Sequence, residues 1–500
     1  MKLRMHGSDL DGCLLARFDG PAPPDWLREW LDRGLAGVLL FAANITGPDQ
    51  LSALTKELRA HNPDLLIAVD EEGGTVTRLE AATGSSYPGN AALGAVGEPE
   101  TTRQLAQGIG VMLARHGINL NLAPVADLDA PGASPVIGVR SFGPDPDQVA
   151  AHTAAFVTGV QQSLVAACAK HFPGHGRSRG DSHLELPVVL ATLDELRAAD
   201  LIPFRAAIAT GVAAVMTAHV VFPAIDDRPA TLSPRLLRTV LRDELGFGGV
   251  IVTDALGMAA IGDDERSAAG AVQALAAGAD LLCLPAGEAA QQTARAALEA
   301  AVQAGEVSDR RVAAAAERVR ALAGWARPAP GTPPDPAVKS ATARRALLLA
   351  GPVGPLRSAP YVLDAGGRMS AQLADSAASL LGLLRARLPG TAGMRLTGPA
   401  TPAELDTALT AAAGRPLVVA VRDAHVHEWQ RSLLRRVLAQ RPDALVVGTG
   451  TVHDRALAGP AYLGTRGSSR ASLTAAASLL AGLDHDAVQT AAGGEPADEQ

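Results

Sequence analysis

From the N-terminus to about residue 325, short apolar runs alternate with segments of helical length. The runs are GCLLARF (12–18), GVLLFA (37–42), DLLIAVD (64–70), INLNLAPVAD (118–127), VAACAKHFP (165–173), AAVMTAHV (213–220), GVIVTDAL (249–256) and ADLLCLP (279–285). All but AAVMTAHV begin or end at Gly, Asp or Pro, the pattern of strands covered on both faces of a parallel sheet. Between them lie segments such as PDQLSALTKELRAH (48–61) and SPRLLRTVLRDELG (233–246), with apolar residues at helical spacing. Ser233 followed by Pro234 predicts a cap and a proline in the first turn. Eight strand units with crossover helices predict a (β/α)8 TIM-type barrel.

The pattern breaks at RPAPGTPPDP (327–336), which reads as a semi-rigid linker. Beyond it RALLLAG (345–351), APYVLDA (359–365), RPLVVAVR (415–422) and DALVVGTG (443–450) alternate with helical segments. They predict a smaller α/β three-layer sandwich. The expected division is a barrel over 1–326, a linker over 327–340, a second domain over 341–490 and a disordered tail over 491–500.

Composition narrows the class. With 47% hydrophobic and 19% charged residues the chain has ample material for a buried core. A net charge of −8 and the lack of a basic, aromatic-rich stretch argue against nucleic acid as the main partner. Cys13, Cys168 and Cys283 are few and widely spaced, so neither a disulfide framework nor a zinc knuckle is expected. No signal-peptide apolar core and no membrane-length apolar run is recognised, which predicts a cytoplasmic protein without a membrane partner.

Chemistry-bearing residues gather at the ends of the predicted strands, the rim where barrels of this type place their sites. They are Asp70, Asp127, Lys170 with His171, His219 and Asp254, with Arg78 a few residues past the third strand. Lys170 is one of only four lysines among 44 basic residues, so a lysine here departs from the habit of the chain. Structural readings stand beside the functional ones. Asp254 could cap a following helix, and Asp70 with Glu71 and Glu72 could form a solvated acidic turn. Lys170 and His171 could satisfy carbonyls or pair with Asp127. His175 could hold the shape of its glycine-rich loop. The loop PGHGRSRGDSH (173–183) could also be a metal site, although a glycine-flanked loop makes a poor rigid cage.

The strings VDEEGGTVTRL, VIGVRSFG, KHFPGHG followed by DSH, and LRDELGFGGVIVTDALGM resemble the family 3 glycoside hydrolases. More narrowly they resemble the bacterial β-N-acetylglucosaminidase branch, from about residue 35 to 290. The segment after the linker is similar to the α/β sandwich of two-domain members, most clearly in YLGTRGSSRASLTAAASLLAG (462–482).

The resemblance implies a retaining mechanism through a covalent glycosyl-enzyme. It implies Asp254 as nucleophile, His183 as acid/base and Asp181 as the partner of that histidine. Asp70, Arg78, Arg140, Lys170 and His171 then match the positions that bind the N-acetylglucosamine ring. No metal or organic cofactor is implied. Arg177 and Arg179 depart from the usual pattern and add two positive charges that would favour an acidic leaving group or phosphate. The expected activity is an exo-β-N-acetylhexosaminidase acting on small carbohydrates, muropeptide-type fragments from peptidoglycan. The alternatives are a phosphorolytic or β-glucosidase-like member, or a catalytically silent sugar-binding protein.

Overall fold

The computed structural model describes residues 8–129, 136–178, 186–262, 264–366 and 378–483. The chain forms two compact units. The first comprises Met1–Glu72, Glu98–Ile137 and Ser141–Pro334; the second comprises Gly73–Gly97, Gly138–Arg140 and Asp335–Gln500.

In the first unit eight parallel strands form one sheet: Leu14–Ala16, Gly37–Leu40, Leu66–Val69, Leu120–Asn121, Ala166–Phe172, Ala214–Thr217, Val250–Val252 and Leu282–Cys283. The first strand pairs with the eighth, and a bridge between Val252 and Leu281 joins the seventh strand to the eighth, closing a barrel. Every predicted run contains a strand. The strands are shorter than the runs because the polar residues at the run ends lie past the ladder.

Residues at every second strand position fill the interior. Leu66 and Ala68, Ala166 and Cys168, Ala214 and Met216, and Val250 and Val252 belong to one buried cluster. Period-two alternation in a closed sheet leaves no other place for one face. Val319, Leu322 and Ala323 of helix Asp309–Trp325 join the same cluster. Asn119, at the start of the fourth strand, donates to the Ala326 carbonyl at 3.2 Å, so this helix end closes the N-terminal mouth. Helix Pro48–His61 forms as predicted. The predicted helix after Ser233 also forms, with the Ser233 hydroxyl accepting from the Leu236 N–H, but Arg235–Glu244 is wound as a π-helix.

The second unit contains a six-stranded sheet. In spatial order its strands are Leu348–Ala350, Tyr462–Gly464, Leu445–Gly448, Leu417–Val421, Tyr361–Asp364 and Ala392–Arg395, all parallel except the first. Alternation sorts the strand residues onto two faces. Leu363, Val419, Val421 and Val446 pack with Leu405, Leu433 and Val437 from the helices on one side. Val362, Val418, Ala420 and Val447 pack with Leu381, Leu384 and Leu480 from the other. The result is the three-layer build. Two strands escaped the sequence reading. Ala392–Arg395 is a half-exposed edge with a central glycine, and Tyr462–Gly464 is only three residues long. Within the expected linker, Asp335 accepts from the Ala337 N–H at 2.8 Å and caps helix Pro336–Arg345.

Candidate active site

The interior parity of the barrel continues past the ladder. One step beyond Leu66–Ala68 is Asp70; one step beyond Ala166–Cys168 is Lys170; one step beyond Val250–Val252 is Asp254. The C-terminal mouth is where barrel enzymes carry their chemistry. Cys168, inside the barrel, reports all three residues. Burial pushes its thiol up, the Lys170 charge opposes this, and the charges of Asp70 and Asp254 add to it.

Lys170 is buried, and its Nζ lies 2.8 Å from Oδ1 of Asp70 and 2.7 Å from Oε1 of Glu72. Glu71 is fully buried, and its backbone N–H and carbonyl are both held by the Asn121 side-chain amide. The reading of residues 70–72 as a solvated acidic turn is therefore excluded. An ammonium with three rotatable donors can serve two carboxylates approaching from different directions; the planar fork of arginine suits one carboxylate face-on.

Asp127, fully enclosed, organises the chain after the fifth strand. Its carboxylate accepts from the His171 backbone N–H (3.2 Å), from His171 Nδ1 (2.7 Å) and from the His175 backbone N–H (2.7 Å). Burial alone would raise its pKa. The positive charge and hydrogen bond of His171, with the His175 contacts, outweigh burial and hold the carboxyl below its ordinary value. With Nδ1 engaged, Nε2 is the nitrogen that His171 can offer to a ligand.

His175 packs edge-on against His171 and hydrogen-bonds Ser178 Oγ through Nδ1 at 2.8 Å. Burial, then the like charge of His171, pushes it down to about 4, so it is a neutral framework residue. This is the loop-holding role expected for it. A Cβ on Gly176 would come within 1.8 Å of the Leu128 carbonyl oxygen, so the close approach of these two backbones requires glycine. Arg177 does not contribute a free positive charge: its Nε lies 2.7 Å from Oδ2 of Asp200.

Asp254 is partly exposed, and its Oδ1 accepts from the Ala255 N–H at 2.7 Å. No helix follows directly; the next begins at Asp264, so the helix-cap reading fails. His219 is fully buried and supports this turn. Its Nδ1 pairs with Thr231 Oγ1 (2.8 Å) and its Nε2 with the Ala255 carbonyl (3.1 Å). His219 is thus a positioning residue behind Asp254.

The structure brings Asp70, Lys170, His171 and Asp254 together in the first unit. Arg78 and Arg140 are buried and belong to segments of the second unit, where Asn90 donates to the Arg140 carbonyl at 2.6 Å. Asp181, His183 and Arg179 lie outside the described residues. Glu72, as the second partner of Lys170, was not foreseen, because acidic neighbours in a turn carry no signal of burial.

For metals, the described residues group Asp423, His425 and Asp454 at the end of the second sheet, with donor atoms within 4.8 Å. These carboxylates already serve as loop caps. Asp454 Oδ1 accepts from the His425 backbone N–H and Nδ1, each at 2.9 Å, and Asp423 Oδ1 from the Thr451 backbone N–H at 2.8 Å.

A closed barrel with carboxylates, a lysine and a histidine at its C-terminal mouth carries its polar groups where barrel enzymes place their sites, and the chain belongs to glycosyl hydrolase family 3. Residues 19–322 match the model of the glycosyl hydrolase family 3 N terminal domain. The chain is 43% identical over 258 residues to a protein named beta-hexosaminidase from Methylococcus capsulatus, covering 51% of this chain and 77% of that one. Among solved structures it is similar to a family 3 beta-N-acetylglucosaminidase from a Paenibacillus species. That likeness has a TM-score of 0.87 and 32% identity, covering 96% of this chain and 97% of the other. It is also similar to NagZ from Neisseria gonorrhoeae, solved in complex with N-trifluoroacetyl-D-glucosamine. There the TM-score is 0.51 and the identity 34%, covering 63% of this chain and 98% of the other.

Proposed function

We propose that the protein is a retaining exo-β-N-acetylhexosaminidase. The observation that carries this reading is the shared interior parity of Asp70, Lys170 and Asp254 at the C-terminal mouth of a family 3 barrel. The beta-hexosaminidase and beta-N-acetylglucosaminidase names of the similar proteins support the aminosugar, as does the N-acyl glucosamine bound by the Neisseria protein.

In the first step Asp254 attacks the anomeric carbon, while His183 gives its proton to the departing glycosidic oxygen. The bond between sugar and leaving group breaks, and an ester forms between the sugar and Asp254. In the second step water attacks the same carbon, His183 takes the water proton, and the Asp254 carboxylate is released. A histidine suits both halves because its unperturbed pKa lies near neutrality. Asp181 orients and polarises it. Asp70, Lys170, His171, Arg78 and Arg140 bind the sugar ring. Lys170 also holds Asp70 in place as an acceptor for sugar hydroxyls. We assign the substrate to small peptidoglycan-derived fragments of the muropeptide type, and the reaction to the cytoplasm. No helix among the described residues is long and apolar enough to cross a membrane.

The test compares turnover of 4-nitrophenyl N-acetyl-β-glucosaminide with that of the matching β-glucoside. A large preference for the aminosugar is expected. Equal efficiency would place the protein on the glucosidase side of the family, and no turnover of either would make it a sugar-binding protein.

A further inference from the structure

Three helices of the second unit, Pro336–Arg345, Leu380–Arg387 and Arg470–Leu480, carry Lys339, Arg344, Arg345, Arg385, Arg387 and Arg470. None of the three contains an Asp or Glu, although the whole chain has a net charge of −8. The first two helices both pack on the third. Between Pro336–Arg345 and Arg470–Leu480 lies a cleft of about 250 Å³. Its lining includes Ser86, Lys339, Ser340, Arg344, Arg470 and Thr474, and no carboxylate.

Lys339 is the unusual member. Like Lys170 it is one of four lysines in a chain that otherwise uses arginine. Unlike Lys170 it has no carboxylate in ion-pair contact among the described residues. Its Nζ donates to Ser86 Oγ at 3.1 Å and stands 3.5 Å above the centre of the Tyr87 ring. The neighbouring acid, Glu80, is already engaged by Arg470 (3.1 Å) and by the Ser86 N–H (2.7 Å). A half-buried ammonium with two spare donors, beside arginines and hydroxyls, is a costly arrangement that an anion would relieve. Burial, with the like charge of Arg470, holds the Lys339 ammonium below its ordinary value against the opposing pull of Glu80.

We propose that this cleft binds an oxyanion of the phosphate-monoester class, with Lys339 as its central cation. The cleft offers an ammonium, two guanidinium groups and several hydroxyls as donors. That number of donors suits a phosphate group with three acceptor oxygens better than a carboxylate with two. The volume also leaves room for a small residue attached to the phosphate.

Calorimetric titration of the full chain at constant ionic strength tests this, using inorganic phosphate, N-acetylglucosamine 6-phosphate and N-acetylglucosamine as probes. Saturable binding of a phosphate probe is expected. It should weaken at least tenfold in Lys339→Met, which keeps the aliphatic stem over Tyr87, and several-fold in Arg344→Gln. The exposed Arg310→Gln, on the first unit, should leave it unchanged, and glycoside turnover should be unaffected in all three variants. Tighter binding of the ester than of inorganic phosphate would identify a sugar phosphate as the ligand; the reverse would identify the free ion. Phosphate binding that is absent, or insensitive to Lys339→Met, or equally weakened by Arg310→Gln, overturns the proposal.

Discussion

Nζ of Lys170 lies 2.7 Å from Oε1 of Glu72, and both side chains are shut away from solvent. Together with the partly exposed Asp70 they form a triad in which one cation serves two carboxylates. Removing the cation takes away the charge that both carboxylates share, which costs far more than losing a surface pair. Lys170→Met is expected to lower stability by ~3–5 kcal/mol and to abolish turnover. Lys170→Arg should restore little, because the bulkier planar guanidinium has to fit a buried position shaped around a compact ammonium. Chemical denaturation of the three proteins checks this. A Lys170→Met variant as stable as the parent would show that the triad is not ionised as drawn.

Asp254→Asn should fold like the parent, since the side chain is partly exposed and the bond it accepts from the Ala255 N–H can be kept by the amide oxygen. Turnover should fall by at least about a thousand-fold, the scale of losing a nucleophile. A slow 2-fluoro sugar substrate should label Asp254 covalently. Peptide mapping that finds the label on another carboxylate refutes the assignment.

His183→Ala separates proton transfer from binding. Nitrophenolate leaves without a proton, so formation of the glycosyl-enzyme should survive, while activation of water should not. Rapid mixing should show a burst followed by a low steady rate, with the apparent Michaelis constant reduced because the intermediate accumulates. Azide should restore part of the turnover. A raised Michaelis constant with unchanged turnover would make His183 a binding residue.

Acid should act through buried histidines. His175 and His152 are each pushed down to about 4, by burial first, from an ordinary value of 6.5. Between those two values the unfolded chain binds protons that the folded chain refuses, so stability falls as pH drops from 6.5 toward 4. His175→Gln removes one of the two sites. Its thermal midpoint should be lower at neutral pH, because the Ser178 contact is altered, but should decline less steeply through this window. Parallel slopes for parent and variant would mean that His175 is protonated in the folded protein.

Gly176→Ala should lose stability by ~1–3 kcal/mol, as overpacking does, because the added methyl meets the Leu128 carbonyl. Gly248→Ala, in a loop where nothing stands within 4 Å, is the control and should be near neutral. Equal behaviour of the two in thermal unfolding would show that the loop can withdraw from Leu128.

The sequence by itself determined the order of strands, the two α/β units and the parity that aims Asp70, Lys170 and Asp254 into one mouth. These follow from local rules, since alternation is a property of a few consecutive residues and survives whatever the rest of the chain does. Only the tertiary structure decided the partners. Asp127 joins His171 from 44 residues away, and Asp70 joins Lys170 from 100. Glu72 proved to be a buried counter-ion, Arg177 to be neutralised by Asp200, and Arg78 and Arg140 to belong to the second unit. The same was true of the two unpredicted strands, whose pairing is supplied by their neighbours in the sheet. A charge in a loop has no periodicity to betray it. Which opposite charge it meets depends on how its own unit folds, and burial then turns that meeting from a weak surface contact into a requirement of the fold.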